Sequence, residues 1–188
     1  MNGDVVLIMR AADFAARRHT DQRRKGAARE PYTNHLTEVA LLLADAVEGD
    51  DGALIAAGLL HDTLEDTVTE YEELVAVFGA DVAGLVSECT DDKSLPKAER
   101  KRLQIETASE KSARARLIKI ADKTSNLRTI VASPPEDWNA ARSIEYVDWA
   151  EQVVSRCRGL NTKLERTFDA AVVDARAAIA SRGQRRTA

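Results

Sequence analysis

An all-α fold is predicted by three features of this 188-residue chain. Good helix formers dominate, with only 9 Gly and 4 Pro to interrupt them. Apolar residues recur three and four positions apart in segment after segment, and no stretch has the alternation of a strand. Helix start and stop signals recur along the chain. Aromatics make up only 4%, so the core is aliphatic, and the 44% apolar and 31% charged fractions are those of a globular protein. A chain of this size buries about two-thirds of its unfolded surface. The expectation is one domain over residues 1–180, about eight to ten helices without significant sheet, and a frayed tail over 181–188.

The first helix is expected from Asp4, as cap, to about His19, with Val6, Met9, Ala12 and Ala16 on one face. Residues 22–32 form a basic loop, Gln-Arg-Arg-Lys-Gly-Ala-Ala-Arg-Glu-Pro-Tyr, broken by Gly26 and Pro31. Asn34 caps a second helix that begins at His35 and continues through Val39, Leu42, Leu43 and Val47. After a turn at 49–52, the run from Ala53 to Leu60 is apolar on every face, as in a buried helix. It is expected to continue through His61 and Asp62. Thr69 with Glu72 reads as a capping box for a helix that stops at Gly79, and a short helix follows from Asp81 to Cys89.

Pro96 suits the first turn of a basic helix carrying Lys97, Arg100, Lys101 and Arg102. Ala113 opens another, with Leu117, Ile118, Ile120 and Ala121 on its apolar side. Ser133-Pro134-Pro135-Glu136 reads as the start of a helix that Gly159 ends. Thr162 with Glu165 caps the last helix, whose buried stripe is Leu164, Phe168, Val172, Ala175 and Ile179.

The net charge of −4 and a pI near 5.5 argue against a general nucleic-acid binder. Cys89 and Cys157 read as a reduced cytosolic pair. The apolar run near the N-terminus is too short for a signal peptide, and none approaches the ~20 residues that span a bilayer. A cytoplasmic protein with no membrane partner is expected.

Chemistry concentrates at His61-Asp62-Thr63-Leu64-Glu65-Asp66-Thr67. On a helix, Glu65 lies one turn beyond His61, and Asp66 one turn beyond Asp62. Carboxylates crowded at the end of a buried helix need a positive partner, and a divalent metal answers that need. His35, His61, Asp62 and Asp122, from three separate helices, are the candidate ligands. Two imidazoles with two carboxylates suit Mn, Fe, Mg or Zn, whereas a closed zinc site more often uses thiolates. Four protein ligands on a six-coordinate ion leave room for water and a substrate oxygen. Glu65 and Asp66 exceed what one ion needs and suit proton transfer.

These residues resemble the H…HD…D signature of the HD-domain phosphohydrolases. The likeness extends over Arg23-Arg24-Lys25, Pro31-Tyr32-Thr33-Asn34-His35, His61 to Thr67, Thr90-Asp91-Asp92-Lys93, and Ile118 to Asp122 with Asn126-Leu127-Arg128. That ordered set is similar to the hydrolase domain of the RelA/SpoT alarmone enzymes, most of all to the stand-alone small hydrolases of metazoan SpoT-homologue type, over roughly residues 5 to 180. The resemblance implies an HD-type helical bundle that removes the 3′-pyrophosphate from guanosine 3′,5′-bis(diphosphate) and its pentaphosphate relative, with Mn²⁺ as cofactor and the small nucleotide, not nucleic acid or membrane, as partner. It implies metal ligation by His35, His61, Asp62 and Asp122, catalysis by Glu65 and Asp66, and contacts to the nucleoside end from Arg24, Lys25 and Asn126.

Lys97 and Arg102 are placed to neutralise phosphates, Arg24 to stack on a base, and Arg142 and Tyr146 to line the same cleft. Leu36 stands where the family often has proline, and Thr124 and Ser125 replace larger residues, which is expected to widen the pocket. The alternatives are another nucleotide or a phosphorylated cofactor such as NADPH as substrate, or a nucleotide-binding module without turnover.

Overall fold

The computed structural model describes the backbone of residues 2–185 and the side chains of residues 3–183. The chain runs through α1 (Asn2–Arg18), α2 (Thr33–Ala46), α3 (Gly52–Leu60), α4 (Thr63–Asp66), α5 (Tyr71–Cys89), α6 (Lys97–Glu106), a 3₁₀ turn (Ala108–Glu110), α7 (Ala113–Ala132), α8 (Ala140–Ser155) and α9 (Thr162–Arg185). Among the described residues, strand-like pairing is confined to two isolated bridges, Arg23 with Pro31 and Gly26 with Pro135. No helix among them is long and apolar enough to cross a membrane.

The apolar helix α3 is central. It packs against α1, α2, α5 and α7, and Leu54, Ile55, Leu59 and Leu60 are buried. Each such side chain contributes about 1.5–3 kcal/mol on leaving water. Gly58 sets the approach of α3 to α2. A Cβ there would lie 2.4 Å from Leu43 Cδ1 and 3.7 Å from Ala40 Cα, so a larger residue would have to turn the Leu43 side chain aside.

Several local expectations shift. The buried face of α1 is Ala11 and Ala15, with Leu7, Ile8 and Phe14 beside them, while Val6 and Met9 are exposed. Small alanines let α1 lie close on α3, and Val5, Val6 and Met9 are left on the outer face. α3 stops at Leu60 and the chain turns at His61 and Asp62 before α4, although Asp66 N still donates to Asp62 O at 2.8 Å.

Thr69 caps nothing, because its hydroxyl pairs with that of Thr67 and α5 begins after Glu70. The break at Gly79 stands as read, with φ 85° dividing α5. Ser133-Pro134-Pro135-Glu136 does not open a helix. Ser133 Oγ accepts from Ala28 N, Pro134 O accepts from Ala27 N, and the segment straps down the basic loop. α8 starts only at Ala140, where the Asn139 side chain accepts from Arg142 N. The last cap moves by one residue. Asn161 Oδ1 accepts from Leu164 N, and Glu165 Oε1 accepts from the amides of Gly159, Leu160 and Asn161. α9 runs to Arg185, into the segment expected to fray, and 186–188 lie outside the described residues.

Candidate functional site

The packing of α2, α3 and α7 brings four side chains to one point. His35 sits in the first turn of α2, His61 caps the end of α3, Asp62 follows it in the turn, and Asp122 lies midway along α7. His35 Nε2 is 3.6 Å from Asp62 Oδ2 and 3.4 Å from Asp122 Oδ1. His61 Nε2 is 3.1 Å and 3.9 Å from the same two oxygens. Ligand atoms of His35, His61 and Asp62 all fall within 4.8 Å of one another. Donors that share one ion are spaced on this scale.

The ring tautomers suit ligation. His61 Nδ1 donates to Gly58 O at 2.9 Å. Its Nε2 is buried and makes no assigned hydrogen bond, with Asp62 Oδ2 3.1 Å away. An orphaned buried nitrogen facing two carboxylates is the signature of a ligand position. The charges agree. Burial disfavours the imidazolium of His61, but Asp62 and Asp122 outweigh it and push the pKa up to about 9. Burial likewise opposes the charge of Asp62, yet the His61 and His35 rings hold its carboxyl well below the usual range. Asp122 is held low by the Lys123 ammonium against the same burial, at 2.8 Å from Oδ2. The cluster therefore favours positive charge at its centre. A divalent metal fits the His35, His61 and Asp62 donors, with Asp122 Oδ1 beside both rings, and neither cysteine belongs to the cluster.

Glu65 and Asp66 stand on α4, next to this centre. Burial raises the Glu65 pKa, with Asp91 and Asp62 adding to it. Its oxygens accept from Arg100 Nη1 and Asp91 N, both at 3.3 Å. Asp66 accepts from the Lys93 ammonium.

Arg24 is almost fully buried. Its guanidinium donates to Ser125 Oγ at 3.2 Å and to Asn126 Oδ1 at 3.0 Å, and Asn126 Nδ2 donates to Asp122 Oδ1 at 2.6 Å. Arg24 thus braces α7 through the N–H edge of its guanidinium. Tyr146 is half-buried beside Asn126, Lys123 and Asp122. Exposed Lys25, Lys97 and Arg142 approach one another. Partial burial lowers the Lys97 pKa, with repulsion from Lys25, Arg142, Lys101 and Arg100 reinforcing it.

The structure does not bring Arg102 to this rim. Glu99 and Glu106 of its own helix hold it on an exposed face, and Arg100, two residues earlier, takes the inward position. Nor do Thr124 and Ser125 open the pocket. Both are fully buried; Thr124 Oγ1 donates to Ile120 O at 2.7 Å, and Ser125 packs behind His35.

Three contacts escape sequence reading. Tyr32 donates to Asp62 Oδ2 at 2.5 Å, its ring stacked on His19; burial first, then Asp62, keeps its phenol protonated. Arg100 holds Glu65, and Lys93 holds Asp66. Tyr32 and Lys93 lie inside the motifs quoted above, but nothing in their spacing says which carboxylate they meet.

The HD domain family matches residues 11–150. A Xenopus tropicalis protein named guanosine-3′,5′-bis(diphosphate) 3′-pyrophosphohydrolase MESH1 is 48% identical over 174 residues, covering 93% of this chain and 97% of the relative. The Homo sapiens protein of the same name is 48% identical over 165 residues, covering 88% and 92%. A solved structure described as "A metazoan ortholog of SpoT hydrolyzes ppGpp and plays a role in starvation responses" superposes with a TM-score of 0.84 at 45% identity, covering 88% of this chain and 93% of that one.

Proposed function

The chain belongs to the HD-domain family, and from that premise we propose that it is a metal-dependent guanosine-3′,5′-bis(diphosphate) 3′-pyrophosphohydrolase. The observation that carries the proposal is the meeting of His35, His61, Asp62 and Asp122, with two further carboxylates on the adjoining turn. Residues 1–180 act as one catalytic domain.

His35, His61, Asp62 and Asp122 would hold the metal; the donor set suits a divalent ion, and Mn²⁺ is the one the family resemblance implies. When bound, such an ion polarises a phosphoryl oxygen and makes water acidic enough to attack at neutral pH. The chain's own residues do the rest. Glu65, with its raised pKa, takes the proton from the attacking water; a base is most effective when its pKa approaches the working pH. Arg100 and the amide of Asp91 keep that carboxylate in place. Asp66, held by Lys93, orients the attacking water, and the proton taken by Glu65 passes to the departing 3′-oxygen of the nucleoside. Pyrophosphate then leaves toward Lys25, Lys97 and Arg142, whose mutual repulsion a polyanion relieves. Asn126 and Tyr146 flank the nucleoside end.

The experiment is incubation of the purified protein with the alarmone and Mn²⁺, with product analysis and a panel of nucleotides ranked by kcat/KM. Release of pyrophosphate with GDP is expected. No release at any metal loading sinks the proposal, and a higher rank for another phosphorylated nucleotide moves the substrate.

A further inference from the structure

We infer that Ser125 and Glu38 are positioning residues that fix the metal-binding tautomer of His35. The inference rests on the metal-dependent reading above but is tested apart from turnover. A serine hydroxyl has one proton to give and two lone pairs to fill. Ser125 Oγ, fully buried, has three polar neighbours: Arg24 Nη1 at 3.2 Å, Glu38 Oε2 at 2.6 Å and His35 Nδ1 at 2.9 Å. A guanidinium can only donate, so Arg24 fills one lone pair. The Glu38 carboxylate can only accept, and its other oxygen receives Arg128 Nη1 at 3.0 Å. The hydroxyl proton therefore goes to Glu38. The lone pair that remains accepts from Nδ1–H of His35, which leaves Nε2 bare toward Asp62 and Asp122.

His61 reaches the same tautomer by another route, donating to the backbone carbonyl of Gly58. No substitution of a side chain removes that acceptor. The two imidazoles thus differ: one is set by the main chain of α3, the other by a side-chain relay between α2 and α7. Only the second can be broken by mutation without touching a ligand.

The test uses Glu38→Ala and Ser125→Ala. Without its carboxylate, the Ser125 hydroxyl is free to donate to Nδ1 of His35 and drive the proton to Nε2. Nitrogen-15 spectra of the metal-free protein in alkaline buffer read this directly. The wild type is expected to show His35 protonated at Nδ1, Glu38→Ala to show it at Nε2, and His61 to stay unchanged in both. The Mn²⁺ dissociation constant, from titration calorimetry, is expected to rise about 10- to 100-fold in each variant. Glu38 is partly exposed on α2, so its variant folds even where Ser125→Ala does not. Mn²⁺ affinity within twofold of wild type in Glu38→Ala, or a wild-type His35 protonated at Nε2, overturns the inference. A wild type that binds Mn²⁺ but releases no pyrophosphate counts against the proposed function and leaves these readouts intact.

Discussion

Two groups of charged side chains meet at the site and are held by different means. The inner group, His35, His61, Asp62 and Asp122, is largely shielded from water, and each member is tied from behind. Gly58 O orients His61, Ser125 orients His35, Tyr32 holds Asp62, and Lys123 with Asn126 holds Asp122. The outer group, Lys25, Lys97 and Arg142, is exposed; Lys97 is repelled by its basic neighbours, and Arg142 is offset only by the surface carboxylate of Asp137. Coulomb energies are several-fold larger in the dry interior than at the surface. The inner group therefore demands one cation at one place, while the outer group offers a polyanion a diffuse welcome. Chemistry belongs to the first and capture to the second.

That contrast breaks most visibly at Asp62. Asp62→Ala is expected to lose metal and activity together, by about three orders of magnitude or more in kcat/KM, since a catalytic ion supplies several kcal/mol and each ~1.4 is tenfold. Metal content and turnover measured on the same sample check it. Next comes Glu65→Ala, which keeps its metal but loses about 10²- to 10⁴-fold in kcat; metal loss in this variant contradicts the separation of roles.

The pH profile follows from Glu65. Its raised pKa means the basic form disappears as pH falls through that value, so the acid limb of kcat is shifted upward from where an ordinary glutamate would put it. In Glu65→Ala that limb is expected to vanish from whatever rate remains. Lys97→Ala, from the outer group, should raise KM about 10-fold with little change in kcat, and the penalty should shrink as salt screens the rim. The smallest effect is expected at Arg102. Its two partners are surface carboxylates on its own helix, and such pairs contribute at most about 1 kcal/mol. Arg102→Ala should leave kcat/KM within about twofold, while Arg100→Ala does not.

Much of this was legible in the residue order. Every segment read as helical is helical over most of its length, because composition and periodicity agree. The four proposed ligands could be picked out because imidazoles and carboxylates stand beside buried aliphatics, where nothing else explains them. What failed did so for reasons of three-dimensional placement. The Ser133–Glu136 signal is a sound helix start locally, but the 22–32 loop takes its hydrogen-bonding groups. Arg100 and Arg102 are equivalent in the sequence and are separated only by how α6 is rotated against α4. Ser125 looked like an enlargement of the pocket, because its partners, Glu38 and His35, lie almost ninety positions away.

The most direct measurement is X-ray absorption at the manganese edge on protein carrying one equivalent of Mn²⁺, before and after His35→Ala. Scattering from two imidazoles in the wild type and from one in the variant is the predicted result. A spectrum with oxygen donors alone, unchanged by the substitution, would mean that α2, α3 and α7 do not close on a common ion.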